Sequence, residues 1–486
     1  MRGGFQPPFG SRTVTEMMPV VRHALRPWTV TNLRTPWLSP AVMITGLALL
    51  LGVLFTWALA GEHWMSLTLV IVVGLLPIFF RWPIVSTFGL YAFLLPFDTV
   101  EAAAGAMGFT RPLSVVTVGV LALAALTERR LHRPPMSAVC CGLVVLWCGV
   151  GTLWAIDSEG VLRRLPSMLS LFAVYIVATA IVPTRKELYS VAVLAVLGGA
   201  CVAAIAYVYG LQYGVEGRMT LAVGGRVANP NNLAAALILP LALSIAGFLH
   251  LKAGALRILA LGAVSVIATG MYISASRAAL IAAGAMLLVL ICRTGIKKEM
   301  VATVLILSVL AGTVSASLFE RLDLLVSGED ATGSGRLDIW KIGVQGVREF
   351  GLFGAGLNNF ADVYRHYSPL GPRLIGPGAH NTYLMVWVEL GLPGLLLILW
   401  ALGGHFAVAR TARKAGRDTV ALAALEAACV GMLVVSIFGD DVWSKQFWLP
   451  FILLMWAAYV PRRADDGFPH RAVYANTGSG APAVQS

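Results

Sequence analysis

Charged side chains are scarce in this sequence. Asp, Glu, Lys and Arg make up 12% of its 486 residues, against roughly a quarter in soluble globular chains. With 58% hydrophobic residues and a mean hydropathy of +0.79, that deficit excludes an ordinary soluble protein and implies an integral membrane protein. Cysteine is also sparse. All six (Cys140, Cys141, Cys148, Cys201, Cys292 and Cys429) fall within apolar runs without metal-ligand spacing across a loop, so neither disulfides nor zinc are expected. Acidic residues number 24 against 36 Lys and Arg, a formal net charge of +12. Topology and contact with anionic membrane lipids account for that excess, and no nucleic-acid partner is implied. No Walker sequence occurs, and Gly354 with Gly356 lacks the preceding strand and third glycine of a dinucleotide site. Asn229-Pro230-Asn231 occurs once, whereas channels built on such half-helices use two copies. The absence of an internal repeat weakens an inverted-repeat transporter reading.

What the chain has in abundance is membrane-length apolar runs. They predict an all-α, polytopic membrane helical bundle of about fourteen spans, or twelve if two short N-terminal segments do not cross. The spans are expected near 41–60, 65–80, 83–97, 112–127, 136–154, 166–182, 188–209, 233–251, 256–275, 278–292, 300–318, 382–402, 420–438 and 446–460. Residues 1–40 and 461–486 read as cytoplasmic tails, 41–318 as a bundle of about eleven spans, 319–381 as a periplasmic helical loop, and 382–460 as three further spans. The five arginines ahead of the first apolar run argue against a cleaved secretory signal and make the first helix the insertion signal. With the N-terminus inside, the inside segments hold 23 of the 36 Lys and Arg. Six of the other 13 lie in the long loop, leaving 23 against 7, the distribution expected for cytoplasmic termini. Within the loop, Arg336 to Phe350 reads as an amphipathic helix started by Gly333-Ser334-Gly335, with Leu337, Trp340, Ile342 or Val344, and Val347 on one side. A second helix is expected around Asn358 to His366, then an irregular Pro/Gly segment from Pro369 to Gly378.

Three breaks in the apolar pattern carry the polar residues of interest. Gly224 to Leu233 holds Arg226 and Asn229-Pro230-Asn231-Asn232 ahead of a span. The bland reading is a helix-capping turn; the alternative is an anion site of backbone amides with Arg226 beside them, for which phosphate is the natural guest. Arg277 stands between two apolar runs with almost no loop. Left unpaired at a helix centre it costs roughly 2.5–3.5 kcal/mol, so it either reaches the headgroups or faces a polar cavity and a substrate anion. His380 precedes a span, where the positive helix end disfavours imidazolium and keeps the ring neutral; a structural role and a general-base role both fit. Arg163 and Arg164 open another span and could attract an anion, Arg336 and Asp338 could pair in the loop helix, and Glu389 needs a partner or the cavity. Asp440-Asp441 is weak evidence for a metal, and none is assigned.

With these residues the sequence resembles the O-antigen ligase and O-antigen polymerase superfamily of bacterial envelope enzymes. The resemblance covers residues about 220 to 440 and rests on Arg226 with Asn229 to Asn232, Ser276-Arg277-Ala278, Gly335-Arg336, Trp340, Phe353 to Gly356, His380-Asn381-Thr382-Tyr383-Leu384 and Glu389-Leu390-Gly391. It implies a multi-pass protein of the bacterial inner membrane with its active site facing the periplasm. The implied reaction transfers a glycan from undecaprenyl-diphosphate to an acceptor hydroxyl with inversion, without cofactor or metal. Carried over, Arg226 and Arg277 hold the lipid diphosphate and His380 deprotonates or orients the acceptor. Arg163, Arg164, Asn229, Asn231, Arg336 and Asn381 are the substrate-binding candidates. The acceptor is lipid A-core or another finished molecule in a ligase, and another lipid-linked repeat in a polymerase; the ligase reading leads. A transporter for a charged lipid or solute is the rival from another class, and a non-catalytic envelope scaffold the third.

Overall fold

The computed structural model describes residues 81–99, 110–213, 222–223, 226–227, 229–252, 254–294, 331–367, 378–417 and 419–460. They form an all-α membrane protein. The helices are α1 (Val85–Phe97), α2 (Thr110–Thr127), α3 (Met136–Val150), α4 (Ser158–Thr179), α5 (Arg185–Tyr213), α6 (Pro230–His250), α7 (Gly254–Ile273) and α8 (Arg277–Thr294). After them come α9 (Ala331–Phe350), α10 (Phe360–Tyr367), α11 (Thr382–Lys414), α12 (Thr419–Val435) and α13 (Lys445–Tyr459). Among the described residues seven helices are long and apolar enough to cross a membrane. A two-residue antiparallel pair, Ala222–Val223 with Arg226–Val227, precedes α6. Eleven expected spans coincide with described helices; those near 41–60, 65–80 and 300–318 lie outside the described residues, as does the expected Pro/Gly segment over 369–377.

The helix most completely enclosed is the last. Residues Phe447 to Ala458 of α13 are all buried, as its apolar character around the whole circumference requires. Its indoles are satisfied by backbone: Trp456 Nε1 donates to the Ala178 carbonyl (2.8 Å) and Trp448 Nε1 to that of Val442 (2.8 Å). Beside it the buried Tyr175 hydroxyl meets His405 Nε2 at 2.6 Å, while His405 Nδ1 lies 2.6 Å from the Ala401 carbonyl. A carbonyl only accepts, so Nδ1 carries the proton and Nε2 accepts from tyrosine.

The two ends of the bundle differ in chemistry. At one end Arg130 pairs with Glu128 and Glu187, and Arg293 (3.0 Å) and Arg413 (2.7 Å) converge on the buried Glu426, joining α8, α11 and α12. Arg410, Lys414 and Arg417 gather at the same end.

The other end carries the loop helices. α9 begins five residues before Arg336, so Gly333-Ser334-Gly335 lies inside it rather than starting it. Its buried face matches expectation at Trp340, Ile342 and Val347, which pack against the core, and departs from it at Leu337. Ile339, Ile342, Gly343 and Gly346 face inward, and Leu337 and Val344 are exposed. The reason is close approach: a Cβ at Gly343 would meet Leu384 Cδ2 at 2.6 Å, and one at Gly346 would meet Val363 Cγ1 at 2.7 Å. α9 is therefore docked on α11 and α10 through its glycines.

α11 is 33 residues, about 50 Å at 1.5 Å per residue, well beyond the roughly 30 Å hydrocarbon core. It is broken at Gly391 (φ 66°, ψ −169°), a conformation open essentially to glycine alone. The carbonyls released by the break find new donors. Ala355 N–H bonds Val388 O (2.8 Å), Gly356 N–H bonds Glu389 O (2.9 Å), and Trp147 Nε1 bonds Leu390 O (2.7 Å). Glu389 Oε1 accepts from Phe360 N–H at 3.3 Å, at the start of α10. The Gly-rich turn is thus a plug seated in a helix break, which satisfies backbone groups that lipid could not. A Cβ at Gly391 would lie 2.6 Å from both Gly354 N and Leu352 O. Gly391→Ala is expected to destabilise the protein by about 2–3 kcal/mol or more, read as a fall in thermal unfolding midpoint in detergent; an unchanged midpoint would show that the plug does not depend on the break.

Candidate functional site

The segment His380-Asn381-Thr382-Tyr383 divides its labour residue by residue. The Asn381 side chain caps α11, accepting from Tyr383 N–H (3.1 Å) and Leu384 N–H (3.0 Å). Thr382 is buried and binds the α12–α13 connection three ways. Its N–H donates to Ser436 O (2.9 Å), its hydroxyl donates to Gly439 O (2.8 Å), and that hydroxyl accepts from Asp441 N–H (2.8 Å). The Tyr383 hydroxyl donates to Leu433 O (2.9 Å). Just upstream, Trp340 Nε1 of α9 donates to Ala379 O (3.1 Å). Between these anchors His380 is held at φ 48°, a left-handed conformation uncommon for a residue with a side chain.

His380 opens onto a cavity of about 360 Å³, near the lower bound for small-molecule sites of roughly 300–1,000 Å³. Every lining residue belongs to the end opposite the Glu426 cluster. Asp98 and Thr99 follow α1, Thr110 begins α2, and Arg164, Ser167 and Leu171 come from α4. Asn229 caps α6 and Asn231 and Asn232 open it, Phe438 to Asp441 with Trp443 and Ser444 come from the α12–α13 turn, and Lys445 and Gln446 begin α13. The Asn229 Oδ1 accepts from Asn231 N–H at 2.9 Å.

Burial moves the titration of the groups around His380. The imidazole is lowered from its ordinary value, mainly by loss of water and also by the Arg336 guanidinium, with Asp440 opposing. Asp440 is raised by burial, with His380, the backbone amides of His380 and Asn381, and Arg336 pulling the other way. Asp441 is pushed up to about 6 by burial and by the Asp440 charge, partly offset by the Ser436 hydroxyl. Near pH 7 the ring is therefore neutral and able to accept a proton, and the Asp440 carboxyl acts on it through its charge.

Of the residues expected at a site, the structure brings His380, Arg164, Asn229 and Asn231 to this cavity. Arg163, one position along α4 and so turned about 100° away, is instead exposed and paired with Glu159 (3.3 Å) and Asp157 (3.4 Å). Arg277 is the first residue of α8, at the cavity end but not lining the cavity. It follows a three-residue turn in which Ala275 has φ 49° and the buried Ser276 hydroxyl accepts from Ala279 N–H at 3.4 Å. Arg226 lies in the short strand pair three residues before Asn229, and its side chain falls outside the described residues. Arg336 acts on His380 and Asp440 through its charge. Asn381 is spent on the helix cap, and Glu389 on α10, neither lining the cavity. Sequence reasoning set aside Asp440 and Asp441 and did not single out Asp98, Thr110, Trp443 or Lys445. Two adjacent acids opening onto an otherwise apolar helical hairpin were the available signal.

These features define a multi-pass membrane protein with a polar, histidine-bearing cavity at one end of its helices. The family model described as O-antigen ligase matches residues 260–399, which supports membership of the O-antigen ligase and polymerase family. The matched region holds Arg277, Arg336, His380 and the plugged helix break; Arg164, Asn229, Asp440 and Lys445 lie outside it. No curated protein matches the chain.

Protonation of the imidazole and of the carboxylates acts in one direction on chemistry that needs a neutral ring. Activity is expected to fall as pH drops below about 6, where Asp441 takes up its proton. Asp441→Asn should flatten the upper part of that limb, and a rate independent of pH from 7 down to 4.5 would overturn this electrostatic description. Stability responds with opposite signs. Burial raises Asp441 from 3.8 to about 6, so its contribution is complete below the unfolded value and is lost as pH rises through that window; the lowered His380 contributes stability that is lost as pH falls through its own folded value.

Proposed function

We propose that this protein is a glycan ligase that transfers a sugar chain from a polyprenyl diphosphate to an acceptor hydroxyl, working at the extracytoplasmic face of the bacterial inner membrane. The observation that carries the reading is the convergence on one cavity of a neutral histidine, an arginine and the helix-opening asparagines, contributed by helices far apart in sequence. Family membership supports the reaction class. The orientation is supported by the arginine and lysine residues at the end opposite the cavity, the end expected to face the cytoplasm.

In this reaction the acceptor oxygen attacks the anomeric carbon as its proton passes to the His380 imidazole. The carbon–oxygen bond to the diphosphate breaks, and the lipid diphosphate leaves with the bonding electrons. Attack from the opposite face inverts the centre. Positive charge for the departing diphosphate comes from guanidinium groups: Arg164 in the cavity and Arg277 at the same end, with Arg226, three residues ahead of the Asn229 cap, as the third expected from the sequence. Such charge is most effective where negative charge develops. Asp440, beside His380, stabilises the ring once it is protonated. Transport is disfavoured because, among the described residues, the cavity is lined by the start of α2, α4, α6, α11 and α13, while Phe172, Tyr175, Phe447 and Trp448, next along α4 and α13, are buried in the core.

Purified protein in liposomes, supplied with undecaprenyl-diphosphate glycan and candidate acceptors, tests this by product size. One discrete addition is expected; a ladder would make the protein a polymerase. His380→Ala should lower transfer by about 100-fold or more, and Arg277→Ala or Arg226→Ala by a similar factor, with expression unchanged. Near wild-type product from all three variants would overturn the site.

A further inference from the structure

The cavity has two walls of different chemistry, and the mechanism above uses one. The second is built by Asp98 and Thr99 after α1, Thr110 at the start of α2, and Trp443, Lys445 and Gln446 leading into α13. These segments are sewn together by a hydrogen-bonded series. Lys445 Nζ donates to Thr110 Oγ1 at 2.9 Å, and Thr110 Oγ1 donates to Asp98 Oδ2 at 2.6 Å. The ammonium also lies 6.0 Å above the Tyr91 ring. Gln446 Nε2 donates to Leu95 O and Thr99 Oγ1 to Pro96 O, both at 2.8 Å, fixing the same segments from behind.

Charge decides what such a wall can hold. The lysine and the aspartate are joined through one hydroxyl, so the wall carries no net charge and does not duplicate the phosphate-binding chemistry of Arg164. It presents an ammonium and a carboxylate bridged by the buried Thr110 hydroxyl, together with a side-chain amide. Beside them Trp443 supplies a flat apolar surface with a polar edge. A ligand matching this has hydroxyl groups, each able to donate and accept, together with an apolar face, and has no charge of its own.

We infer that this wall is the subsite for a neutral sugar ring, the glycan unit presented to His380, with Lys445, Asp98 and Gln446 reading its hydroxyls, Thr110 positioning the first two, and Trp443 lying against its ring. The inference rests on the glycan-transfer reading and names the class of sugar that the site selects. It makes Asp98 and Lys445 residues of specificity, since they meet the sugar away from the bond that breaks.

Saturation-transfer NMR on the purified full chain in nanodiscs tests it, with three probes: a neutral methyl hexoside, the corresponding methyl hexuronide, and inorganic pyrophosphate. The neutral glycoside is expected to bind, and better than the uronide. Trp443→Ala and Asp98→Asn should each weaken it by about fivefold or more, the loss of one or two ordinary contacts, while pyrophosphate binding, followed by phosphorus NMR, stays at the wild-type level and certifies the fold. Neutral-sugar binding that is absent in the wild type, unaltered in both variants, or weaker than that of the uronide would overturn the subsite. Sugar binding that responds to the variants in a protein with no affinity for pyrophosphate would uphold the subsite and remove the lipid-diphosphate reading instead.

Discussion

A single buried hydroxyl joins the two parts of this molecule that must meet for a site to exist. Thr382 Oγ1 donates to Gly439 O and accepts from Asp441 N–H, and the Thr382 amide holds Ser436 O. Low dielectric strengthens each of these bonds and makes each costly to leave unmade. Through them the residue preceding α11 and the acidic turn preceding α13 share one fixed geometry. His380 and Asp440 are neighbours because Thr382 leaves no other register. The helix break at Gly391 acts one layer further in, binding the cap through Ala355 and Gly356 so that α9 can present Trp340 to Ala379.

The electrostatics of the cavity follow from that arrangement. Removal of water keeps His380 neutral and raises both acids, while Arg336 pushes the ring the same way and pulls Asp440 back. Near neutral pH the ring is therefore uncharged. The opposing wall, with its lysine and aspartate linked through Thr110, adds polarity without disturbing that balance. A cavity of mixed charge at one end and an arginine-clasped Glu426 at the other give the bundle a chemical direction.

The sequence made the helices legible because apolar runs of membrane length leave few alternatives, and α1 to α8 and α11 to α13 fall where those runs are. His380, Arg164, Asn229 and Asn231 were legible as polar residues where apolar segments begin, since polarity at such a place needs a reason. Periodicity found Trp340, Ile342 and Val347 on the buried face of α9 but missed its glycines. Gly343 and Gly346, which score as nothing in an apolar pattern, admit Leu384 and Val363, whereas Leu337 and Val344 look outward. The distinction between Arg163 and Arg164 rests on a rotation about α4 that no local pattern fixes. Asp98, Thr110 and Lys445 stayed hidden because their common role exists only across separations of 12 and 335 positions. Asn381 was read for the ligand when its oxygen is occupied by the backbone of the next turn.

The dependence of His380 on residues 433–441 also sets a schedule for biogenesis. The imidazole leaves the ribosome more than fifty residues before the turn that fixes it, and Lys445 and Gln446 later still. A nascent chain that has inserted α11 already carries His380 but has no pocket to put it in. The cavity is complete only when the closing helical hairpin arrives, so a chain terminated before it would lack the Asp440, Asp441 and Lys445 side of the pocket.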